Sequence, residues 1–328
     1  MTQLAVTVPA TSANLGPGFD CIGVALALYN RFTFRLQPSS TRANSSEPGD
    51  PVTITVQGVE SAKVAVDATN LVYVAFTRLY EHLGQVTPPV AIEIELGVPL
   101  ARGLGSSATA IVGGLVAANE LAGNPLKLTE VIQLAIEMEG HPDNVVPALL
   151  GGCYLAASRE VAQTTDLPWV LCDVPWHSNI VPIVAIPDFE LPTKAARQVL
   201  PQQYHRQDLI FNISHLSLLV RALETGEHQW LAAALDDRIH QPYRISLITG
   251  YQQVRTAAMV AGAAGVVISG AGPTLLALAN PTVANKVAGA MEKTWLEHGI
   301  SATVKILPID TQGAISQPFP ASLGVGAD

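Results

Sequence analysis

Alternating and apolar stretches define the predicted elements in the first half of the chain. Residues 52–56 and 91–96 alternate apolar and polar side chains, which is typical of strands with one buried face. Polar residues 67–70 precede an apolar segment, and this order predicts a helix over 71–83. Small residues predict a second helix over 106–122, and a third runs from Thr129 to about Glu139, where Gly140 stops it. Residues 145–155 are expected to return to a strand.

The second half shows the same mixture without regular alternation of strands and helices. A strand is predicted at 180–186 and others at 266–269 and 275–278, with helices near 207–223, 228–235 and 247–261. Residues 37–51 are polar and predict a surface loop, and the Gly- and Pro-rich tail after Ile309 is expected to be loosely ordered. The pattern favours the α+β class. The length of 328 residues predicts two domains, at 1–160 and 161–328.

Composition narrows the function classes. The formal net charge is -9, whereas a nucleic-acid-binding protein is usually basic. Three well-separated cysteines without a CxxC pair argue against a disulfide framework and a zinc site, and they fit a reducing, cytoplasmic setting. No signal peptide is visible at the N-terminus. Residues 256–285 carry no charge, but their glycines favour a helix end, two buried strands and a loop over a membrane span.

The most informative segment is residues 99–108, PLARGLGSSA, directly before the long helix. Gly103 and Gly105 allow positive φ and close approach of the backbone to a ligand. Ser106 and Ser107 stand where the helix begins and are expected to cap its free N–H groups. A helix start carries unpaired donors and positive partial charge, so this segment predicts an anion site suited to nucleotide phosphates.

This loop matches neither common nucleotide motif. No lysine follows the glycines, as a Walker A loop requires, and the third glycine of a dinucleotide fingerprint is missing. Taken alone, it can also be a plain strand-to-helix turn. Two further segments are residues 9–20, PATSANLGPGFD, and residues 266–276, VVISGAGPTLL. Alone, the first is ordinary turn chemistry and the second a hairpin between core strands.

Together, in this order, the three segments resemble the three motifs of the GHMP kinases, a family that includes galactokinase, homoserine kinase, mevalonate kinase and phosphomevalonate kinase. The resemblance spans residues 9–278, and GLGSSA at 103–108 is its most specific part. It implies an ATP- and Mg²⁺-dependent kinase of a small alcohol. It also implies an N-terminal domain like ribosomal protein S5 domain 2, a ferredoxin-like C-terminal domain and, for many members, a homodimer.

Three segments outside the nucleotide motifs resemble the members that phosphorylate homoserine: EGHPDN at 139–144, TKAAR at 193–197 and DRIHQPYR at 237–244. The resemblance implies that Arg197 and Arg244, with Arg238 as a weaker third, bind the substrate carboxylate. Arginine suits this role because its planar fork matches a carboxylate. It further implies that the amino group and the hydroxyl region are held by Asn14 and Asp20.

The resemblance also assigns the reacting end of the site. It implies catalytic roles for Asn144, His141 and Glu139, with Asn144 and His141 beside the attacking hydroxyl. For His141, a C-terminal helix cap is the alternative. The hypothesis is direct attack on the γ-phosphorus without a carboxylate base, with Asp143 structural. The alternatives are a kinase for another alcohol, such as mevalonate, and a non-catalytic ATP-binding member.

The nucleotide and metal residues follow from the same resemblance. The implied metal ligands are Ser107 and Glu139. Glu137 is the alternative to Glu139, and only one of the two can face the site because residues at i and i+2 point apart on a helix. Asn70 is either near the adenine or a plain N-cap. The full predicted ATP-binding set is Pro99, Leu100, Ala101, Arg102, Gly103, Leu104, Gly105, Ser106, Ser107 and Asn70.

Overall fold

A computed structural model describes residues 2–38, 51–159 and 168–318. The described chain forms two sheets with helices packed against each, so the predicted α+β class is confirmed. The predicted division between residues 160 and 161 lies outside the described residues, as do most of the predicted loop 37–51 and the tail from residue 319 onward.

The first sheet contains seven strands in the order β11-β1-β2-β4-β3, with β5 beside β2 and β6 beside β5. The long strand β2 pairs with β1 along its length, with β4 near one end and with β5 near the other. Strand β3 runs parallel to β4 because a helix connects them. The strands are β1 Gln3–Ala13, β2 Ile22–Leu36, β3 Val52–Gly58, β4 Val90–Leu96, β5 Cys153–Ser158, β6 Trp169–Asp173 and β11 Ile315–Pro318.

Four helices cover one face of this sheet, and their buried side chains form an apolar core with those of the strands. The apolar faces of α1 and α2 pack over the strands, where Phe34 and Phe76 stack with 5.5 Å between their ring centroids. Both alternating stretches are confirmed as strands, and the predicted helices over 71–83 and 106–122 are confirmed to within one residue. The helices are α1 Leu71–His82, α2 Ser106–Leu121, α3 Leu128–Glu139 and α4 Pro142–Leu150.

The predicted strand over 145–155 is wrong in its first part, which is helix α4. Gly140 ends α3 in the left-handed conformation, with φ 89°, and Pro142 begins the next helix. Proline is favoured at a first helical position because its missing N–H would be unpaired there anyway. His141 is therefore the N-cap of α4, and the alternative interpretation, that it caps the C-terminus of α3, is wrong.

The second sheet is antiparallel and has the order β10-β7-β9-β8. In chain order this is strand, helices, two strands, helix, strand, which confirms the ferredoxin-like arrangement. The strands are β7 Val181–Pro187, β8 Ala263–Ile268, β9 Leu275–Ala279 and β10 Ala302–Ile306. The helices are α5 Thr193–Gln198, α6 Arg206–Thr225, α7 His228–Ala234, α8 Gln241–Arg244, α9 Tyr251–Ala261 and α10 Ala284–Glu297, with 3-10 turns at Ser61–Lys63 and Ile245–Leu247.

A separate apolar cluster lies between the two sheets and joins them. Its fully buried members include Leu15, Leu26, Val184 and Leu276. The expectation of a loosely ordered tail is wrong for β11, which pairs with β1 at the edge of the first sheet. Because β6 also joins this sheet, its strands reach beyond residue 160. The uncharged stretch 256–285 forms the end of α9 and the hairpin β8-β9, as predicted. None of the helices in the described ranges is long and apolar enough to span a membrane.

Candidate active site

The three glycine-containing segments meet at the start of α2. The backbone N–H of Thr11 donates to the carbonyl of Leu104 over 3.1 Å, and the hydroxyl of Ser269 donates to the carbonyl of Gly103 over 2.6 Å. Gly103 and Gly105 have φ of 74° and 67°. A Cβ on Gly103 would collide with the carbonyl of Ser269, so the first and third segments hold the loop on both sides.

The start of α2 has no side-chain cap. Gly105 is the N-cap, and Ser106 and Ser107 are the first helical residues, so the expectation that these serines cap the helix is wrong. The N–H groups of the first turn are left for a ligand, and the helix dipole adds positive potential. This geometry suits an anion, as the sequence predicts.

A cavity of about 260 Å³ opens at this helix start, between the two sheets. Loop residues, acidic residues and arginines from both halves of the chain line it. Every predicted catalytic and metal residue, five of the predicted substrate residues and much of the predicted phosphate loop lie here: Asn14, Asp20, Ala101, Arg102, Gly103, Gly105, Ser106, Ser107, Glu139, His141, Asn144, Arg197 and Arg244.

A second, more apolar cavity of about 250 Å³ continues from the first and shares Ala101, Ser106 and Ser107 with it. Asn70 lines it as well. The side chain of Asn70 accepts from the N–H of Val72 at 2.9 Å, so this residue is an N-cap as well as part of the cavity wall. A mostly apolar wall beside an anion site fits a flat heteroaromatic base attached to phosphates.

Ser107 and Glu139 place two oxygen atoms together at the helix start. The Ser107 hydroxyl donates to Oε1 of Glu139 over 2.8 Å. Burial raises the pKa of Glu139, and the charge of Asp143 adds to this, while Ser107 and nearby cations oppose it. Hard oxygen donors of this kind suit Mg²⁺. Glu137 instead faces Arg78 at 3.6 Å and does not line the cavity.

Asp20 and Arg197 form a two-pronged ion pair across the cavity. Nη1 and Nη2 of Arg197 donate to the two carboxylate oxygens of Asp20 at 2.9 and 2.7 Å. Asn14 supports the pair, since its Oδ1 accepts from the backbone N–H of Asp20 at 3.0 Å. Both Asn14 and Asp20 have positive φ, which their short polar side chains tolerate.

Arg244 lies beside this pair and is 2% exposed. Its Nε donates to the carbonyl of Ala196 and its Nη1 to the carbonyl of Gly270, each over 3.1 Å. Burial, with the neighbouring charge of Arg197, lowers the pKa of Arg244 to about 10. The centroid of the Phe19 ring lies 5.5 Å from Cζ of Arg197 and 5.2 Å from Cζ of Arg244, so one aromatic ring contacts both cations.

A short network joins the two residues predicted beside the reacting hydroxyl. Nδ1 of His141 lies 2.6 Å from Oδ1 of Asp143, and Nδ2 of Asn144 donates to the same oxygen over 3.3 Å. The Thr11 hydroxyl donates to Oδ1 of Asn144 over 2.8 Å. Burial works against a charged His141, but the hydrogen bond and charge of Asp143 outweigh it and raise the pKa of His141.

Some predicted residues are not brought to the cavity. Arg238 pairs with Asp208 at 3.4 Å and lies over Phe211, so its side chain points to another surface. Leu104 is buried in the core, and Pro99 lines neither cavity.

The sequence analysis missed three side chains that contact the predicted site residues and help to position them. Thr11 holds Asn144, Phe19 contacts both arginines, and His240 contacts Arg244. Thr11 and Phe19 stand inside the first glycine segment and His240 inside DRIHQPYR, so the motifs contain them. Nothing in the spacing says which residue each one touches.

Comparison with known proteins decides the family. Residues 70–152 match the GHMP kinases N terminal domain, and residues 219–297 match the GHMP kinases C terminal domain. A curated homoserine kinase of Trichodesmium erythraeum is 58% identical over 315 residues, which cover 96% of this chain and 98% of the relative. The chain belongs to the GHMP kinase family.

This GHMP kinase has further relatives of the same kind. A homoserine kinase of Trichormus variabilis is 58% identical over 314 residues and is covered to 99%. A crystal structure of homoserine kinase from Cytophaga hutchinsonii matches with a TM-score of 0.82 at 31% identity, covering 97% of this chain and 98% of that one. The resemblance that the sequence motifs indicate is therefore confirmed, together with the two-domain GHMP kinase fold.

Proposed function

We propose that this GHMP kinase transfers the γ-phosphoryl group of ATP to the hydroxyl of L-homoserine, giving O-phospho-L-homoserine for threonine biosynthesis. The observation that carries the proposal is the ion pair of Asp20 and Arg197 with Arg244 beside it, next to an uncapped helix start. Homoserine is a zwitterion, and its ammonium and carboxylate match these charges. The curated relatives at 58% identity carry the same activity in their names.

ATP fits the two joined cavities. The phosphates take the free N–H groups at the start of α2, beside Gly103 and Gly105. The adenine takes the apolar cavity lined by Asn70. Ser107 and Glu139 are the residues that would hold Mg²⁺, which supplies charge neutralisation for the phosphates when it is bound.

The acceptor takes the other end of the first cavity. Asp20, with Asn14 behind it, binds the ammonium, and Arg197 and Arg244 bind the carboxylate. The hydroxyl then points to Asn144 and His141, which line the same cavity as the acceptor residues and the phosphate loop. The ion pair of Asp20 and Arg197 opens as the substrate enters, because each residue exchanges its partner for a substrate charge.

Catalysis rests on position and charge rather than on a carboxylate base. Oδ1 of Asp143 already accepts from Asn144 and contacts His141, and its side chain is 2% exposed, which supports a structural role. Phosphoryl transfer has a loose transition state, so orientation and neutralisation of charge contribute most of the rate. Asn144 orients the hydroxyl for direct attack on the γ-phosphorus, and the free N–H groups at the start of α2 stabilise the developing negative charge.

A coupled ADP-release assay tests the proposal, with ATP and Mg²⁺ against L-homoserine, mevalonate, galactose and shikimate in parallel. Turnover confined to homoserine is expected. Turnover with mevalonate alone would contradict the assigned acceptor site while keeping the kinase chemistry. Tight ATP binding without turnover of any of the four alcohols would favour the non-catalytic alternative.

The setting and assembly of the enzyme also follow from the proposal. Cys21, Cys153 and Cys172 are free, which supports a reducing compartment such as the cytoplasm. The homodimer implied by the resemblance stays a prediction, and light scattering on the purified protein measures it directly.

A further inference from the structure

A fully buried histidine stands behind Arg244 and has no role in the mechanism above. His240 is 0% exposed and directly precedes α8. Its ring stacks on Phe19, with 5.3 Å between the ring centroids. Nε2 lies 2.8 Å from the carbonyl oxygen of Gly16, and Nδ1 lies 3.2 Å from Nη1 of Arg244.

These two neighbours determine the tautomer of the ring. A carbonyl oxygen only accepts hydrogen bonds, so Nε2 carries the proton and donates to Gly16. A guanidinium only donates, so Nδ1 offers its lone pair to Arg244. His240 is therefore a neutral imidazole with its proton on Nε2. A second proton on Nδ1 would remove the acceptor and place two cations side by side.

The groups that face His240 agree with a neutral ring. Burial lowers the pKa of His240 and the charge of Arg244 adds to this, whereas Asp237, Asp20 and the carbonyl of Gly16 oppose the shift without reversing it. Asp237 lies 3.6 Å from Nε2. Its carboxylate already accepts from the backbone N–H groups of residues 239–241 and from a side-chain amide.

The contact fixes the plane of the Arg244 guanidinium. Nε donates to the carbonyl of Ala196, and Nη1 donates to both the carbonyl of Gly270 and Nδ1 of His240. Two nitrogens of the Arg244 guanidinium are therefore fixed by three acceptors. None of the hydrogen bonds among the described residues uses Nη2 of Arg244, although this residue lines the cavity. Nη2 is therefore the group left for a ligand's carboxylate.

We propose that His240 is a positioning residue for the acceptor: its neutral imidazole holds the guanidinium of Arg244 so that Nη2 meets the carboxylate of the amino-acid substrate. This inference rests on the proposed function. Without the acceptor at Nδ1, Arg244 keeps its charge and loses its fixed plane. The loss then falls on binding of the acceptor substrate and leaves ATP binding unchanged.

Two substitutions test the roles of the two ring nitrogens of His240 separately. In His240→Asn, the amide oxygen can replace Nδ1 as acceptor for Arg244, while the bond to Gly16 is lost. In His240→Gln, the amide nitrogen can replace Nε2 as donor to Gly16, while the acceptor at the Nδ1 position is lost. Both variants remove the stacking on Phe19, so they carry the same packing loss, and urea unfolding checks that both fold.

Steady-state kinetics of the two variants give the decisive comparison. His240→Gln is expected to raise the KM for homoserine about tenfold to a hundredfold, with the KM for ATP and kcat within about threefold of wild type. His240→Asn is expected to stay within about threefold of wild type for all three constants. Equal KM values for homoserine in the two variants, or a matching rise in the KM for ATP, would overturn the inference.

A second readout does not depend on turnover. Nitrogen-15 NMR of the intact wild-type protein reports the tautomer of the one histidine whose signal is lost in both variants. An Nε2–H tautomer that is still neutral at the ordinary histidine pKa of about 6.5 is expected. A ring protonated at neutral pH would overturn the inference. Wild-type protein with this tautomer and no turnover of homoserine would overturn the proposed function and not the contact with Arg244.

Discussion

At the scale of single residues, two acidic groups of the cavity already have partners within the protein. Asp20 pairs with Arg197, and Glu139 accepts from Ser107. A zwitterion can replace the ion pair without leaving either charge unpaired, whereas an alcohol with one charge leaves one of the two partly exposed residues without its counter-ion. In the proposed complex, the pair therefore favours substrates that carry both signs.

Replacement of Arg197 by lysine tests this selection. Lysine keeps the positive charge and loses the planar fork that matches both Asp20 and a carboxylate. The KM for homoserine is expected to rise about tenfold or more, with the KM for ATP unchanged, as measured by steady-state kinetics. Arg238→Lys is the matched control, because Arg238 lies outside the cavity, and it should leave both constants unchanged.

Asp143→Asn tests the absence of a carboxylate base. The amide keeps the shape of the side chain and weakens its contact with His141, so we expect kcat to fall about tenfold to a hundredfold. Single-turnover measurements with saturating ATP and homoserine separate the chemical step from product release. A loss of about 10³-fold or more in that step would contradict direct attack without a base.

The residues that face the cavity could be predicted from the sequence, because they stand inside short motifs whose chemistry is recognisable. The residues that hold them could not. Thr11 and Asn144 are 133 positions apart, and Asn14 and Gly270 are 256 positions apart. Such contacts depend on how the two sheets are placed, and a single sequence carries no direct signal for that placement.

At the scale of elements, the start of α2 combines a backbone constraint with a close contact. Gly105 has positive φ, and a Cβ there would collide with Oγ1 of Thr11, the atom that donates to Asn144. The loop therefore sets the position of Asn144, the residue proposed to orient the hydroxyl, as well as the proposed phosphate site.

Gly105→Ala is expected to lose both stability and activity. Positive φ costs alanine about 1 kcal/mol, and displacement of Thr11 should lower kcat about tenfold or more. Gly123→Ala is the matched control near the other end of the same helix, because Gly123 has φ of 89° and open space around its Cβ position. Thermal unfolding should show the strain of positive φ in both variants and a larger loss for Gly105→Ala because of the collision with Thr11, and only Gly105→Ala should lose activity. Equal activity in the two variants would contradict this role for the loop.

The periodic elements were predictable and the irregular ones were not. Strands β3 and β4 alternate strictly because one face is buried, and α1 follows polar capping residues. The part of α4 from residue 145 onward was predicted as a strand, within a short apolar segment that contains Gly151 and Gly152. A short apolar run does not distinguish a buried strand from a buried helix, and here the turn at Gly140 and Pro142 decides the outcome.

At the scale of the whole molecule, Arg102 joins the phosphate loop to the second sheet. Its side chain is 6% exposed and donates to the carbonyls of Leu100, Pro187 and Asp188 and to the carboxylate of Glu60. Although Arg102 was predicted to bind ATP and lines the cavity, its guanidinium is bound to the end of β7, to Leu100 and to Glu60. The side chain thereby links the two halves of the chain beside the proposed nucleotide site.

Arg102→Ala is therefore expected to affect stability strongly. The change removes the donor of three carbonyls and one cation from Glu60, which keeps Lys63 and the backbone N–H of Leu100 as partners. The free energy of unfolding should fall by about 3 kcal/mol in urea titrations. Arg35→Ala removes an exposed ion pair with Glu93, 3.8 Å apart, and should cost less than about 0.5 kcal/mol. Similar losses in the two variants would contradict a linking role for Arg102.

The pairing of β11 with β1 has a consequence for synthesis of the protein. The edge offered by Leu4 to Thr7 in β1 receives its partner only when residues 315–318 have left the ribosome. Until then, a growing chain presents an open strand edge to other nascent chains, and such an edge is a template for misassembly. Strand β1 is thus synthesised long before the strand that protects its edge, and the open edge persists at least while residues 14–314 are translated.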